Sequence, residues 1–177
     1  QGMEQAVEKM TTLSRGAWEL DALELDPDPL RLVLRLRGPA DSLAARARRL
    51  RHDFGAEIFP KDEAASFWMA RIETGVDSGR GTDGWGVVKC PLTPGTIVEL
   101  EKDPEISALP RHYSMGGNVL WVSGAVEVID AILKRQSLEG LIFKSSAGNP
   151  ECLFLGIERK GLSARIKGAL DPDNRFG

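Results

Sequence analysis

The side chains able to do chemistry are few, and their spacing narrows what they can do. Only two histidines occur in 177 residues; His52 falls at the polar end of a helical stretch, so a catalytic dyad or triad would have to be built around His112. Ser114, two positions on and on the same face of a strand, lacks the Gly-x-Ser-x-Gly elbow and has no committed acid beside it, which disfavours hydrolase chemistry. Cys90 and Cys152 have neither the paired spacing of a zinc site nor that of a Cys-x-x-Cys redox pair; they read as buried thiols, and no metal site is expected. There is no Gly-x-x-x-x-Gly-Lys-Ser/Thr loop, and no Gly-x-Gly-x-x-Gly follows a strand and opens a helix, so nucleotide binding within this chain is not supported. The run Arg46, Arg48, Arg49, Arg51 suggests a nucleic-acid patch. Its wide spread around the helix and the acidic Glu19, Asp21, Glu24 and Asp26 on a neighbouring strand favour a solvated face instead.

The elements that must position these groups follow from periodicity. Glu4 to Leu13 reads as a short helix, a linker following Gln1-Gly2, which has the look of a cloning or protease scar before Met3. Trp18 to Leu25 alternates with one irregular step, Asp26-Pro27-Asp28-Pro29 turns, and Leu30 to Arg37 places four leucines opposite Arg31, Arg35 and Arg37, which predicts an antiparallel pair. Asp41 is expected to cap a helix ending at Gly55, followed by a short strand at Ala56 to Phe59 and a helix over Lys61 to Arg71. Asp77 to Gly84, with three glycines and no large apolar side chain, is the strongest break.

The pattern then restarts. A strand over Trp85 to Pro91 precedes a helix opened by Thr93-Pro94-Gly95, where proline is tolerated in the first turn. Gly116-Gly117-Asn118 joins strands at His112 to Met115 and Val119 to Ser123. Ala125 to Gln136 is helical, Leu141 to Lys144 a strand, and Leu162 to Leu170 a closing helix. Both halves read as β-α-β-β-α-β, so the expected class is α+β: an antiparallel sheet with helices on one face, built as two ferredoxin-like units in tandem, residues 16–76 and 85–177.

Composition sets the outer bounds. With 42% hydrophobic and 28% charged residues the chain has the composition of a folded globular protein. Its 23 Lys+Arg against 26 Asp+Glu give a net charge of −3, which supplies no global field toward nucleic acid. No uncharged run reaches the ~20 residues that a membrane-spanning helix needs. Without a secretory signal, a reduced, cytoplasmic setting is expected.

Three segments carry a resemblance. The tail Ile166-Lys167-Gly168-Ala169-Leu170-Asp171-Pro172-Asp173-Asn174-Arg175-Phe176-Gly177, the Ser66-Phe67-Trp68 stretch before Arg71, and Tyr113-Ser114-Met115-Gly116-Gly117-Asn118-Val119-Leu120-Trp121 are similar to the C-terminal, substrate-side domain of FAD-linked oxidases of the vanillyl-alcohol oxidase type. Most of all the chain resembles the smaller flavin-binding subunits of bacterial glycolate oxidases. The tail matches through Pro172 and then departs from the family's Asn-Pro-Gly-Arg ending.

The resemblance implies a cap domain whose FAD is bound mainly by an N-terminal flavin-binding domain absent from this chain, so the chain alone would be catalytically silent, with no catalytic residue of its own. It implies a small 2-hydroxy acid as substrate, an iron-sulfur subunit as a partner, and an association with the inner membrane face through such partners. Cations that hold the substrate carboxylate would be drawn from Arg111, His112, Lys89 and Arg71, since a guanidinium or ammonium suits a carboxylate. Asn174 and Arg175 would approach the flavin. Each has a plainer alternative: Lys89 on an outward strand face, Arg111 capping the preceding turn, His112 solvated at a strand start. The rival expectation is a stand-alone ferredoxin-like ligand-binding or regulatory module.

Overall fold

In the computed structural model the residues described are 2–73, 84–146, 154–156, 169–170 and 172. The leading helix α1 (Met3–Arg15) is followed by the hairpin β1 (Leu20–Pro27) and β2 (Leu30–Leu36), then by α2 (Ala40–Phe54) and α3 (Lys61–Glu73). The second half runs β3 (Trp85–Pro91), α4 (Pro94–Leu100), α5 (Pro104–Ser107), β4 (Arg111–Ser114), β5 (Val119–Ala125), α6 (Val126–Arg135), β6 (Glu139–Ser145) and β7 (Phe154–Gly156). The strands form one seven-stranded sheet in the order β2-β1-β4-β5-β3-β6-β7, and every pairing is antiparallel. The fold class is α+β.

Alternation along the strands gives this sheet two different faces. Leu23, Leu25, Val88, Cys90, Tyr113, Leu120, Val122 and Ile142 point to one of them and share a core with Met10 and Leu13 of α1, Ile97 and Leu100 of α4, Ile106 of α5, and Ile129, Ile132 and Leu133 of α6. Ala6, Val7, Met10 and Leu13 form the buried stripe of α1; the segment expected as a linker is part of the core. α2 sits over the β2 end of the same face, with Leu43, Ala47 and Leu50 opposite Leu32, Leu34 and Leu36. α3 stands beside the β2 edge and reaches the opposite face through Trp68 and Arg71.

The β3-α4-β4-β5-α6-β6 order, with the strands lying as β4-β5-β3-β6, is the split βαβ arrangement of a ferredoxin-like unit. The first half departs from the expected tandem. It contributes a hairpin and two helices, and residues 56–59 are not a strand. Only four residues lie between Gly55 and Pro60, and Ala56, Ile58 and Phe59 turn their side chains toward a groove against α2 and α3 instead of joining the ladder.

Local features agree with the punctuation of the sequence. The irregular step in β1 is a register shift between Leu20 and Ala22. Gly55 ends α2 in the left-handed conformation, and Pro94 opens α4 at a position needing no amide donor. α2 begins at Ala40, without a side-chain cap from Asp41. The glycine-rich break over 77–83, Cys152, most of the expected closing helix over 162–170, and both Asn174 and Arg175 lie outside the described residues.

Candidate functional site

The sheet face opposite the core carries a half-open cavity of about 440 Å³. Its floor is a row across three strands. Lys89 of β3 is registered with Trp121 of β5, and Trp121 with His112 of β4. Residues in register share a face and stand one strand spacing apart, ~4.8 Å, so a lysine, an indole and an imidazole lie side by side although 23 and 9 positions separate them in sequence order. Leu25 pairs with Tyr113 on the core face, which turns Glu24 and Asp26 of β1 to the cavity side, beside His112. Phe143 of β6 and Trp68 of α3 wall the remaining sides.

Contacts within the row are specific. The His112 and Trp121 rings are stacked, with centroids 6.5 Å apart, and Phe143 meets the indole edge-on at 5.3 Å. Trp121 Nε1 donates to Ser114 Oγ at 3.1 Å, which commits the serine to orienting the indole. The Lys89 ammonium stands over the Trp121 ring at 5.7 Å from the centroid, and no carboxylate pairs with it among the described residues.

At the α3 end the charges are already engaged. Arg71 pairs with Asp26 through Nη2 and Oδ1, and Arg31 Nε donates to the other oxygen of Asp26 at 2.8 Å. Phe67 supports both guanidinium groups from below, at 4.8 Å from Arg71 and 5.2 Å from Arg31. Arg35 is held between Asp21 and the Trp68 ring. This network joins α3 to the hairpin and leaves Arg71 a charge at the cavity wall whose donors are partly spent.

Between these ends lies a pair of titratable groups. Glu24 Oε2 is 3.6 Å from His112 Nε2, both side chains are nearly buried, and Oε2 has no hydrogen-bond partner among the described residues. Burial pushes the Glu24 carboxyl up to about 7, with the Arg71 charge opposing, and burial together with Arg71 pushes His112 down to about 4. At neutral pH the imidazole is therefore uncharged, and the carboxyl stands near the midpoint of its titration.

The cavity thus brings together Lys89, His112 and Arg71 of the expected substrate-binding residues. Arg111 is a correction. As the strand neighbour of His112 it points to the other face, where Nε donates to Glu101 Oε1 at 2.7 Å, Nη2 contacts Glu101 Oε2, and Nη1 donates to the carbonyls of Ser107 and Leu109 at 2.7 and 3.0 Å. Tyr113 donates to the same Glu101 carboxylate. With its donors committed and its side chain only 6% exposed, Arg111 holds α4 and α5 to β4 and does not meet a ligand in the cavity.

Other candidates resolve as structural groups. Arg46 donates to the carbonyls of Trp18 and Arg37, both at 2.8 Å, and pairs with Glu19, while Arg49 pairs with Asp53 and covers Trp18. Two of the four arginines are therefore spent on packing α2 against the hairpin. Cys90 is buried, and burial pushes its thiol up to about 12, far from a reactive thiolate. Among the described residues no group of three His, Cys, Asp or Glu side chains could hold a metal ion, and no helix is long and apolar enough to cross a membrane.

Sequence reasoning missed Glu24, Trp68 and Phe143. The one available signal is that Ala22, Glu24 and Asp26 share a strand face, and nothing local in the sequence shows that His112 and α3 pack beside it. Comparison with known proteins finds no matching family model, no matching curated protein and no matching solved structure.

Proposed function

We propose that this chain is the substrate-side, or cap, domain of an FAD-linked oxidoreductase and helps to hold a small 2-hydroxy acid over the flavin. The observation that carries the reading is the Lys89–Trp121–His112 row: an ammonium without a carboxylate partner among the described residues, beside an uncharged imidazole, inside an aromatic-walled cavity on the sheet face opposite the core. Such a site attracts one carboxylate and excludes much of the water around it.

The fit to FAD is partial. The cavity matches a small acid or the edge of a flat ring, and the described residues include no glycine-rich loop of the phosphate-cradling kind. On this reading the cofactor is held by an N-terminal flavin-binding domain, and an iron-sulfur subunit is a further partner. A flavin bound there would supply the acceptor for the two electrons and two protons lost when a 2-hydroxy acid becomes a 2-oxo acid. Lys89 of this chain fixes the carboxylate, Trp121 and Phe143 shield the reacting face, and Arg71 adds positive potential while remaining paired to Asp26.

The test is the visible absorption of the 177-residue chain beside a longer form that carries the flavin-binding region. A yellow long form that bleaches on addition of glycolate or D-lactate, with a colourless short form, is the expected result. A folded long form that stays colourless with added FAD overturns the reading. Binding of small acids by that colourless protein would then favour the stand-alone ligand-binding module, for which the ferredoxin-like second half is a suitable frame.

A further inference from the structure

The carboxylate end of the proposed ligand has a partner in Lys89, but the cavity wall also holds a polar atom without a hydrogen-bond partner among the described residues. Glu24 Oε2 is buried without a hydrogen bond in a residue only 9% exposed, and the nearest imidazole nitrogen, at 3.6 Å, is beyond bonding reach. A buried oxygen left without a partner is costly, and one carried by a residue of a cavity wall can be satisfied by a donor on a bound molecule after a small turn of the carboxyl. Mutual placement supports this. Lys89 leans across the Trp121 ring and Glu24 leans toward His112 from the other side. Glu24, Lys89, His112 and Trp121 line the same cavity, with the backbones of Lys89 and His112 two strand spacings, roughly 10 Å, apart.

We propose that Glu24 is the specificity-determining residue of this cavity, accepting a hydrogen bond from the hydroxyl of a ligand whose carboxylate is held by Lys89. The inference rests on the carboxylate-binding reading above and adds the group that separates a hydroxy acid from its deoxy analogue. A site built to bond a hydroxyl rejects the analogue that lacks it far more strongly than an apolar pocket rejects a change of size, because the analogue leaves the buried polar atom unpaired.

Calorimetric titration of the 177-residue chain with glycolate and with acetate separates the two levels of the argument, and the Trp121 indole N–H resonance reports whether binding is at this cavity. Glycolate should bind at least about tenfold more tightly than acetate. Glu24→Leu should bring the ratio of the two affinities to about one. Glu24→Gln, whose amide oxygen still accepts, should keep a preference for glycolate. The readout is a ratio within each variant, so partial loss of fold, which weakens both ligands, does not imitate it. Equal affinities for the two anions in the unaltered chain overturn the role of Glu24 and leave the carboxylate site standing. Failure of both to bind overturns the carboxylate site and the inference with it.

Discussion

Burial displaces the protonation of Glu24 and of His112 in opposite senses, and this has a measurable consequence for stability. Glu24 has its pKa raised by burial from 4.5 to about 7, so between those values the folded chain holds a proton that the unfolded chain has released, and stability falls as pH rises. His112 has its pKa lowered from 6.5 to about 4, so over that window the unfolded chain holds the extra proton, and stability rises with pH. From about 4.5 to 6.5 the two slopes offset one another. Urea unfolding across pH 4 to 7 should therefore show, from this pair, a nearly flat central region, with a rise below it and a fall above it. Glu24→Gln should uncover the His112 slope, at most about 1.4 kcal/mol per pH unit in the upward direction, and His112→Gln should uncover the Glu24 slope downward. Identical profiles in both variants would show that the groups are not buried together as described. Lys89 acts without such compensation: Lys89→Glu should abolish glycolate binding measured by calorimetry and leave the melting temperature within a few degrees, since its ammonium makes no ion pair among the described residues.

At the scale of elements, much of the molecule was legible because its boundaries are written in residues with fixed backbone preferences. Pro94, Gly55 and the Gly116-Gly117 turn each fall where a proline start, a left-handed stop and a hairpin reversal are required. The strand expected at residues 56–59 failed for the complementary reason. A four-residue run with three apolar side chains does not say whether it will join a ladder, and here it lines a groove beside α2 and α3 with Ile58 and Phe59 still exposed. The faces of the strands were harder still. Arg111 and His112 are neighbours in sequence with opposite roles, and only the pairing of β4 decides which of them looks into the cavity. Arg111 is thus predicted to matter for folding alone. Arg111→Met should destabilise the chain by about 3 kcal/mol in denaturant unfolding, because the buried Glu101 carboxylate loses its guanidinium and keeps only the Tyr113 hydroxyl. The glycolate affinity of the folded fraction should not change, and a selective loss of affinity would return Arg111 to the binding site.

The whole molecule is asymmetric across its sheet. One face is covered by α1, α2, α4, α5 and α6, while the other bears the cavity and, around it, Leu141, Phe143 and Phe154, of which the two phenylalanines are 59% and 67% exposed. An apolar rim about a charged cavity is the arrangement expected where a second body docks. If the flavin-binding domain covers this face, Phe143→Asp should weaken its co-purification with the chain while leaving the melting temperature unchanged. Retained association would place the docking surface elsewhere. None of this asymmetry could be read from composition, because Phe143 and Phe154 share their residue type with the half-buried Phe54 and Phe67 of α2 and α3, and it is strand pairing that sets the first two on the open face.

The position of Lys89, Trp121 and His112 within strand interiors also limits how this cavity can change over generations. Sites assembled from loops acquire new preferences by lengthening or shortening those loops, which the scaffold tolerates. Here a single inserted residue between Ser114 and Val119 that shifted the pairing of β4 with β5 would carry His112 and Trp121 out of step, one of them toward the packed side of the sheet. Gly117 guards that spacing: it lies at φ +84°, and a Cβ there would fall 2.4 Å from Met10 Cε. Diversification of ligand preference in this architecture is consequently restricted to exchange of side chains at fixed positions, Glu24, Lys89 and Phe143 foremost, with the length of the hairpin held constant.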